Sequence, residues 1–386
     1  MKIGIDQISF YIPQHYLDLK TLAEEKGIDP NKYIHGIGQE KIAIPSQHED
    51  VVTMGAEAAH PLLQDLDLNS IDTVLFATET SIDQSKSAGI YVHRLLGLPS
   101  NCRNVELKQA CYSATAALQL ACGYVARKPD KKVLIIASDI SRYDLDTPGE
   151  ATQGAGAVAM IISANPKIIE IDSVSGCYSE DIMDFWRPNY RKTPLVDGKY
   201  SALKYLHSLA HAWKNYLENR GNKFKDFKQF CYHLPFTRMA EKAHKHLSSI
   251  NDQSLEPSQY ESGLIYNRQI GNCYNASLYI SLISVLENYE TSLENENIAF
   301  FSYGSGATAE FFSGNVQESY QDYLYKDLHQ ELLKNRTALS YQEYLKFWNV
   351  NDPEDGSKLV IKNDNNKGRY GLSRIENHKR YYEKAA

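Results

Sequence analysis

ELKQACYSATAAL, residues 106–118, places a cysteine where a polar, strand-like run gives way to a helix built from Ser, Ala, Thr and Leu. A lone cysteine in such a setting is ordinarily a small core hydrophobe. This one has a counterpart in the same chain. CYSATAALQLA at 111–121 is matched by CYNASLYISLI at 273–283, which shares Cys, Tyr and Ala at the first, second and fourth places. GAGAVAMII at 154–162 is matched by GSGATAEFF at 304–312, which shares both glycines and two alanines. Two matches in the same order predict a duplicated fold. Its halves are placed at 1–165 and 166–386, the second carrying a C-terminal extension. The spacings within the two pairs differ, as loop insertions allow.

The rest of the chain is consistent with that division. Short β-rich runs at 73–77, 133–137, 158–162 and 298–302 alternate with helical stretches, the pattern of an α/β protein with covered sheets. MKIGIDQISFYIP at the start alternates like a strand and lacks the regions of a signal peptide. Runs such as VLIIA at 133–137 are too short to span a bilayer, so a soluble cytoplasmic protein is expected, with no membrane partner. A net charge of -7 excludes a general nucleic-acid binder, and an anionic ligand must be met by a local basic patch. The six cysteines (102, 111, 122, 177, 231 and 273) show neither CxxC pairs nor framework spacing, which predicts no disulfides, no metal site and a reducing compartment. The polar stretch at 351–368 is expected to form a surface loop or hairpin.

Upstream of each CY segment a β-rich run ends in an ionisable residue, Glu79 after VLFAT and His233 after FCY. Groups at strand ends and helix starts line the crevice of open α/β sheets. Two halves packed about a pseudo-twofold axis would therefore bring Glu79, Cys111, His233 and Asn275 to one cavity. At the first turn of a helix Cys111 would feel the positive dipole end and favour thiolate, which makes it a candidate nucleophile. Cys273 holds the matching place with no separate task, and it reads as core, as do Cys102, Cys122, Cys177 and Cys231. His233 alone would be a cap or core group; beside a nucleophile it can hold a thiolate or donate to a carbonyl oxygen. Asn275 is either a helix-start residue or an orienting amide. Glu79 is a solvated carboxylate or a base for a C–H proton next to a carbonyl, and the second role separates this set from hydrolases and decarboxylating enzymes. Gly304, Ser305 and Gly306 offer either backbone N–H groups or a tight turn. Arg238, Lys242 and Lys245, at helical spacing, form a basic face that is either solvated or holds phosphates.

Several longer blocks extend the pattern: PNKYIHGIGQ (30–39), GEATQGAGAVAM (149–160), DFWRPNYRKTPLVDGKYS (184–201), HLPFTRMAEKA (233–243), GNCYNASLYISLISVLEN (271–288), FSYGSGA (301–307) and LSRIENHKRYY (372–382). With ATE at 77–79 and the Cys111 motif, they resemble the bacterial type of hydroxymethylglutaryl-CoA synthase, within the thiolase superfamily, over nearly the whole chain. The resemblance implies a thiolase-like five-layer αβαβα fold and a homodimer. It also implies a reaction in which acetyl-CoA acetylates Cys111, Glu79 removes a methyl proton, and the carbanion attacks acetoacetyl-CoA. Water then releases 3-hydroxy-3-methylglutaryl-CoA of the mevalonate pathway. His233 is implied to polarise the acetoacetyl oxygen, and Asn275 and Ser305 to contact the acyl group. Thr152 and Ser201 match residues that bind the hydroxymethylglutaryl group, and Arg238 and Lys242 match the basic pair that meets CoA. The first of that pair is often Lys in relatives, and Arg differs from Lys in geometry. Tyr143 and Asp184 fall in matching active-site blocks. No cofactor is implied, since CoA carries both substrates. Two rivals share the motifs: a polyketide β-branching synthase fed by carrier proteins, and a catalytically silent binding protein with the same fold.

Overall fold

A computed structural model of the chain describes residues 1–361 and 368–384. Its main sheet has nine strands, here β1 (Ile3–Tyr11), β2 (Ile71–Ala77), β3 (Arg103–Leu107), β4 (Lys132–Ser141), β5 (Gly154–Ala164), β6 (Ile169–Ser179), β7 (Gln229–Tyr232), β8 (Asn297–Gly304) and β9 (Thr308–Val316). The helices that matter below are α1 (Val51–Ala59), α2 (Ala88–Leu96), α3 (Ser113–Arg127), α4 (Gly198–Glu218), α5 (Met239–Ile250), α6 (Ser277–Asn288), α7 (Lys326–Lys334) and α8 (Tyr341–Trp348).

The strand order β7-β8-β9-β6-β1-β5-β4-β2-β3 contains the same unit twice. In the first half β2 runs parallel to β4, β4 antiparallel to β5, and β5 antiparallel to β1. In the second, β7 runs parallel to β8, β8 antiparallel to β9, and β9 antiparallel to β6. The two units meet where β1 pairs with β6, Gly4 opposite Glu170 and Ile5 opposite Ile169. Among the described residues only β3, at the outer edge of the first half, has no equivalent in the second.

Side-chain alternation along the strands builds the layers, since successive residues face opposite sides. On β4, Val133, Ile135 and Ala137 face a central core while Leu134 and Ile136 face an outer one with α1 and α2. On β8, Ile298 and Phe300 face the same central core, while Ala299, Phe301 and Tyr303 join α4 and α5 on the other side. The central core is filled by α3 and α6, the helices of the two CY motifs. The result is the expected sequence of helix, sheet, helix, sheet and helix layers. α3 enters the middle layer on small residues, Ala114, Ala117 and Ala121, which let two sheets and a second helix approach it. α6 is buried all round, as befits a helix enclosed by protein on every side.

The chain after Val316 returns to the first half. Thr337–Ala338 adds to a small sheet made with His15–Asp18 and Lys41–Ile44. The hairpin of Tyr370–Glu376 and Lys379–Lys384 packs Tyr370, Leu372, Ile375 and Tyr382 against α1 and α2. Asp50, the N-cap of α1, accepts from the Tyr382 hydroxyl and pairs with Arg380 at 3.3 Å. Of the polar stretch at 351–368, Leu359–Val360 pairs with this hairpin; residues 362–367 lie outside the described residues.

α7 is pinned by a polar group inside the core. His329 Nε2 accepts from the Phe10 N–H at 3.1 Å, so the proton sits on Nδ1, which donates to Glu287 Oε1 at 2.7 Å. The Tyr266 hydroxyl donates to Glu287 Oε2 at 2.6 Å, which satisfies the other carboxylate oxygen. Both side chains of the pair are fully enclosed. Glu287→Ala would orphan the His329 and Tyr266 donors at about 1–3 kcal/mol each. A loss of about 3 kcal/mol in unfolding free energy is expected, checked by denaturant unfolding against the parent chain.

Candidate active site

Cys111 lies one residue ahead of Tyr112, the N-cap of α3, and so precedes the helix rather than opening its first turn. The chain reaches it through Ala110, held at φ 43°, and the Gln109 N–H is taken by the Ser113 hydroxyl at 2.5 Å. This sharp turn presents the sulfur at the base of the site, where it remains partly open to solvent. The thiol donates to Glu79 Oε2 at 3.6 Å. Burial pushes the thiol well above its usual range, and the nearby charges of Glu79, Asp139 and Asp184 push it the same way. That reverses the expectation of a thiolate favoured by the helix start. The first-turn N–H of Ala114 is aimed elsewhere, at Asn275 Oδ1 3.1 Å away, and three carboxylates outweigh the partial charge of one helix end.

Glu79 follows β2 by two residues, and its carboxyl is raised to about 8, first by burial and then by the charge of Asp139. Asp139, near the end of β4, was not singled out in the sequence, yet it organises the site. Its Oδ1 accepts from the Thr78 hydroxyl (2.8 Å), the Glu79 N–H (2.9 Å), and both the N–H (3.1 Å) and hydroxyl (2.7 Å) of Thr80. Its Oδ2 accepts from Asn275 through the backbone N–H (3.2 Å) and the side-chain amide (2.9 Å). Asn275 sits in a 3-10 turn, Tyr274–Ala276, just before α6. Both ends of its amide are committed, so it orients the Cys111 helix against Asp139.

His233 directly follows β7, and its N–H donates to the Phe301 carbonyl of β8 at 2.8 Å. The Tyr205 hydroxyl donates to its carbonyl at 2.8 Å. Burial lowers the imidazole from 6.5 to about 3, so it is neutral in the folded chain at neutral pH. The unfolded chain takes this proton near 6.5, so stability is lost as pH falls from there toward 3. Its Nδ1 is buried without a hydrogen-bond partner, and no hydrogen bond joins it to Cys111 or Glu79 among the described residues.

β8 carries the second half onto the nucleophile turn. A Cβ at Gly304 would lie 2.5 Å from the Gln109 carbonyl oxygen and 2.8 Å from the Tyr112 nitrogen, so only glycine lets the end of β8 meet this turn. The Ser305 carbonyl accepts from Gln109 Nε2 at 3.3 Å, and the Gly306 N–H is occupied by Asp184 Oδ1 at 2.9 Å. Asp184 is fully buried and also accepts from the Ser201 hydroxyl (3.0 Å) and the Tyr303 hydroxyl (2.8 Å). Both Asp184 and Ser201 thus brace the Gly306 turn. Tyr143 is buried, and Cys111 and Glu79 both act on its phenol electrostatically. The Thr152 hydroxyl donates to the Gly149 carbonyl at 2.8 Å in a turn seated against the Tyr143 ring.

Arg238 and Lys242 stand apart from the Cys111 contact network. Arg238 is the N-cap of α5, donates to the His35 carbonyl and pairs with Glu241 at 3.0 Å; Lys242 lies over the Phe236 ring at 5.2 Å. The large cleft that does reach Glu79 and Ala110, about 1650 Å³, is walled instead by residues 81–87, 104–106 and 185–189 and by the segment after α8. The remaining cysteines are free thiols: Cys231 and Cys273 are buried, whereas Cys177 is exposed on β6. Among the described residues no three His, Cys, Asp or Glu side chains gather as a metal site, and no helix is long and apolar enough to cross a membrane.

Two substitutions test this geometry. Asp139→Asn places an amide against the Asn275 donors and should slow acyl transfer to Cys111 by about 10²-fold, the cost of misplacing a reacting group by an ångström. Gly304→Ala should give a similar loss by displacing the Cys111 turn, with the fold retained by circular dichroism. Both are read by single-turnover acylation.

Comparison with known proteins finds one family along the whole chain. The family model for the N-terminal part of hydroxymethylglutaryl-coenzyme A synthase matches residues 1–168, and that for its C-terminal part matches 169–263 and 258–385. The hydroxymethylglutaryl-CoA synthase of Enterococcus faecalis is 45% identical over 349 residues, 89% of this chain and 91% of that protein. The polyketide biosynthesis 3-hydroxy-3-methylglutaryl-ACP synthase of Bacillus subtilis is 32% identical over 369 residues, 88% of this chain and 86% of that one. A crystal structure of HMG-CoA synthase complexed with CoA superposes with a TM-score of 0.95 at 40% identity, covering 100% of both chains. The chain belongs to the hydroxymethylglutaryl-CoA synthase family.

Proposed function

We infer that the chain condenses acetyl-CoA with acetoacetyl-CoA and water to give 3-hydroxy-3-methylglutaryl-CoA and CoA. The observation that carries this reading is the Cys111 thiol directed at the Glu79 carboxylate, 3.6 Å away. A group that accepts the thiol's hydrogen bond before acylation lies within reach of the methyl group of an acetyl placed on that sulfur.

In the proposed course, Cys111 attacks the acetyl thioester and its proton ends on the sulfur of the departing CoA. Glu79 then takes a proton from the acetyl methyl, a very weak acid, while preorganised donors stabilise the charge that forms. The carbon attacks the ketone of acetoacetyl-CoA while His233, neutral in the fold, donates to the oxygen on which charge develops. Water finally cleaves the Cys111 thioester, so the covalent stage divides the work into acylation, condensation and hydrolysis. Ser305 is assigned an oxyanion donor, Tyr143 and Thr152 the acyl wall, and Arg238 with Lys242 the CoA phosphates. CoA is thus a carrier of substrate rather than a resident cofactor.

The greater likeness to the CoA-dependent relative than to the carrier-protein one supports free CoA thioesters as substrates, and with them a place in the mevalonate pathway in the cytoplasm. A homodimer is proposed through β3, the outer strand of the first half, whose Val105 is exposed and whose outer edge is open.

Mass spectrometry after acetyl-CoA and then acetoacetyl-CoA tests the whole reading: an acetyl adduct should appear and be discharged. Cys111→Ser should give no adduct while CoA still binds. Glu79→Gln should still be acetylated but lose condensation by about 10²–10⁴-fold. A base raised to about 8 is mostly protonated below that pH, so condensation should climb with pH toward 8 and fall about tenfold per unit on the acid side. A flat profile would refute Glu79 as the base.

A further inference from the structure

The charged and titratable groups that act on Glu79 come from four directions: Asp139 on β4, the Cys111 thiol before α3, the Tyr143 and Tyr274 phenols, and Arg187. Arg187 is the only cation among them. It donates to the main-chain carbonyl of Glu79. It makes no ion pair among the described residues, although neighbouring Arg191 pairs with Asp144 at 3.0 Å. Further along the same cleft Lys86, Lys108, Arg142 and Glu106 line the walls, with the Glu106 carboxylate held by the Ala88 N–H at 2.8 Å.

The placement of Arg187 is built in. Phe185–Trp186 pairs with Leu195–Val196 in a short hairpin. The Phe185 ring meets Tyr274 edge-on at 5.9 Å and Tyr143 at 6.3 Å, and the preceding Asp184 is fixed by the three bonds described above. A residue two positions beyond such an anchor has little freedom, and Pro188 stiffens the far side.

We propose that Arg187 is a positioning residue for proton abstraction: tied to the Glu79 carbonyl and, among the described residues, unpaired with any other carboxylate, its guanidinium offsets the field of Asp139 at the Glu79 side chain. The inference rests on Glu79 being the base. Its physical logic is that burial and a like charge both disfavour a second carboxylate, and one nearby opposite charge offsets them. The cation also lowers the Glu79 carboxyl against those two effects.

The test is Arg187→Gln and Arg187→Lys, with acetylation and condensation timed separately by rapid quench from neutral to alkaline pH. For Arg187→Gln, acetylation and the KM for acetoacetyl-CoA should stay within about twofold. The rising limb of condensation should move up by about one pH unit, a roughly tenfold loss at neutral pH that alkali recovers. Arg187→Lys should restore the limb. The carboxyl ¹³C titration of Glu79, assigned by its absence in Glu79→Gln, should move the same way, and it reads the charge without turnover. A limb and titration unmoved in a folded Arg187→Gln, or a loss equal at every pH, overturns the inference. If Glu79→Gln itself kept condensation, the assignment of the base would fall instead.

Discussion

The site depends on the carboxylate of Asp139, which lies buried where the two halves meet and, among the described residues, is paired with no cation. A carboxylate without a counter-ion costs several kcal/mol to bury unless its lone pairs are filled. Here six donors fill them: four from the segment after β2 and two from Asn275 in the other half. Charge-assisted bonds of this kind are stronger than neutral ones, so the segment carrying Glu79 and the turn carrying Asn275 are held to the same point. Because the charge is shared among donors rather than cancelled, its field still reaches outward. It raises both the Glu79 carboxyl and the Cys111 thiol. One group therefore sets the geometry of the site and adds its field to burial in keeping the reactive members protonated.

The duplication explains why two motifs recur in each half and in one order. Gly304, which opens the second-half glycine motif, seats on the turn of Cys111 in the first half. Gly154, which opens the first-half motif, seats on Gly271 and Asn272, just before Cys273 in the second; a Cβ there would lie 2.7 Å from the Asn272 nitrogen. Each glycine motif thus packs on the cysteine motif of the other half, and neither tolerates a side chain. The symmetry stops at the sulfurs. Cys273 is enclosed, with the Gly156 Cβ position 3.1 Å from its Sγ, whereas Cys111 opens on the site. The same backbone device yields a core residue in one copy and a reactive one in the other.

How much of this was legible follows from what each signal depends on. Internal repetition and strand-end position are properties of the chain itself, and they were enough to bring Glu79, Cys111 and Asn275 together. Asp139 carried the same signal, an acid near the end of the apolar run VLIIAS, and was missed because no second-half partner marked it. Arg187 stood inside a matched block, but its role depends on a hairpin that brings it back over β2, which no periodicity reports. The protonation of Cys111 was misjudged for a related reason. A helix start is visible in sequence, while the burial and the three carboxyl groups that outweigh it are made by segments far apart in the chain.

Those carboxylates bear on the order of events as well as on the resting state. With burial and the carboxyl groups of Glu79, Asp139 and Asp184 all disfavouring a thiolate, the resting sulfur keeps its proton and gives it up only as the thioester forms. Acylation removes that conflict: a neutral acetyl sulfur no longer competes with Glu79 for charge, and the thiol's hydrogen bond to the carboxylate is lost with it. That bond lowers the Glu79 carboxyl, so its loss leaves a stronger base at the moment a C–H proton has to be taken. The cluster of like charges that makes the nucleophile reluctant is, on this account, what makes the carboxylate basic enough for the following step.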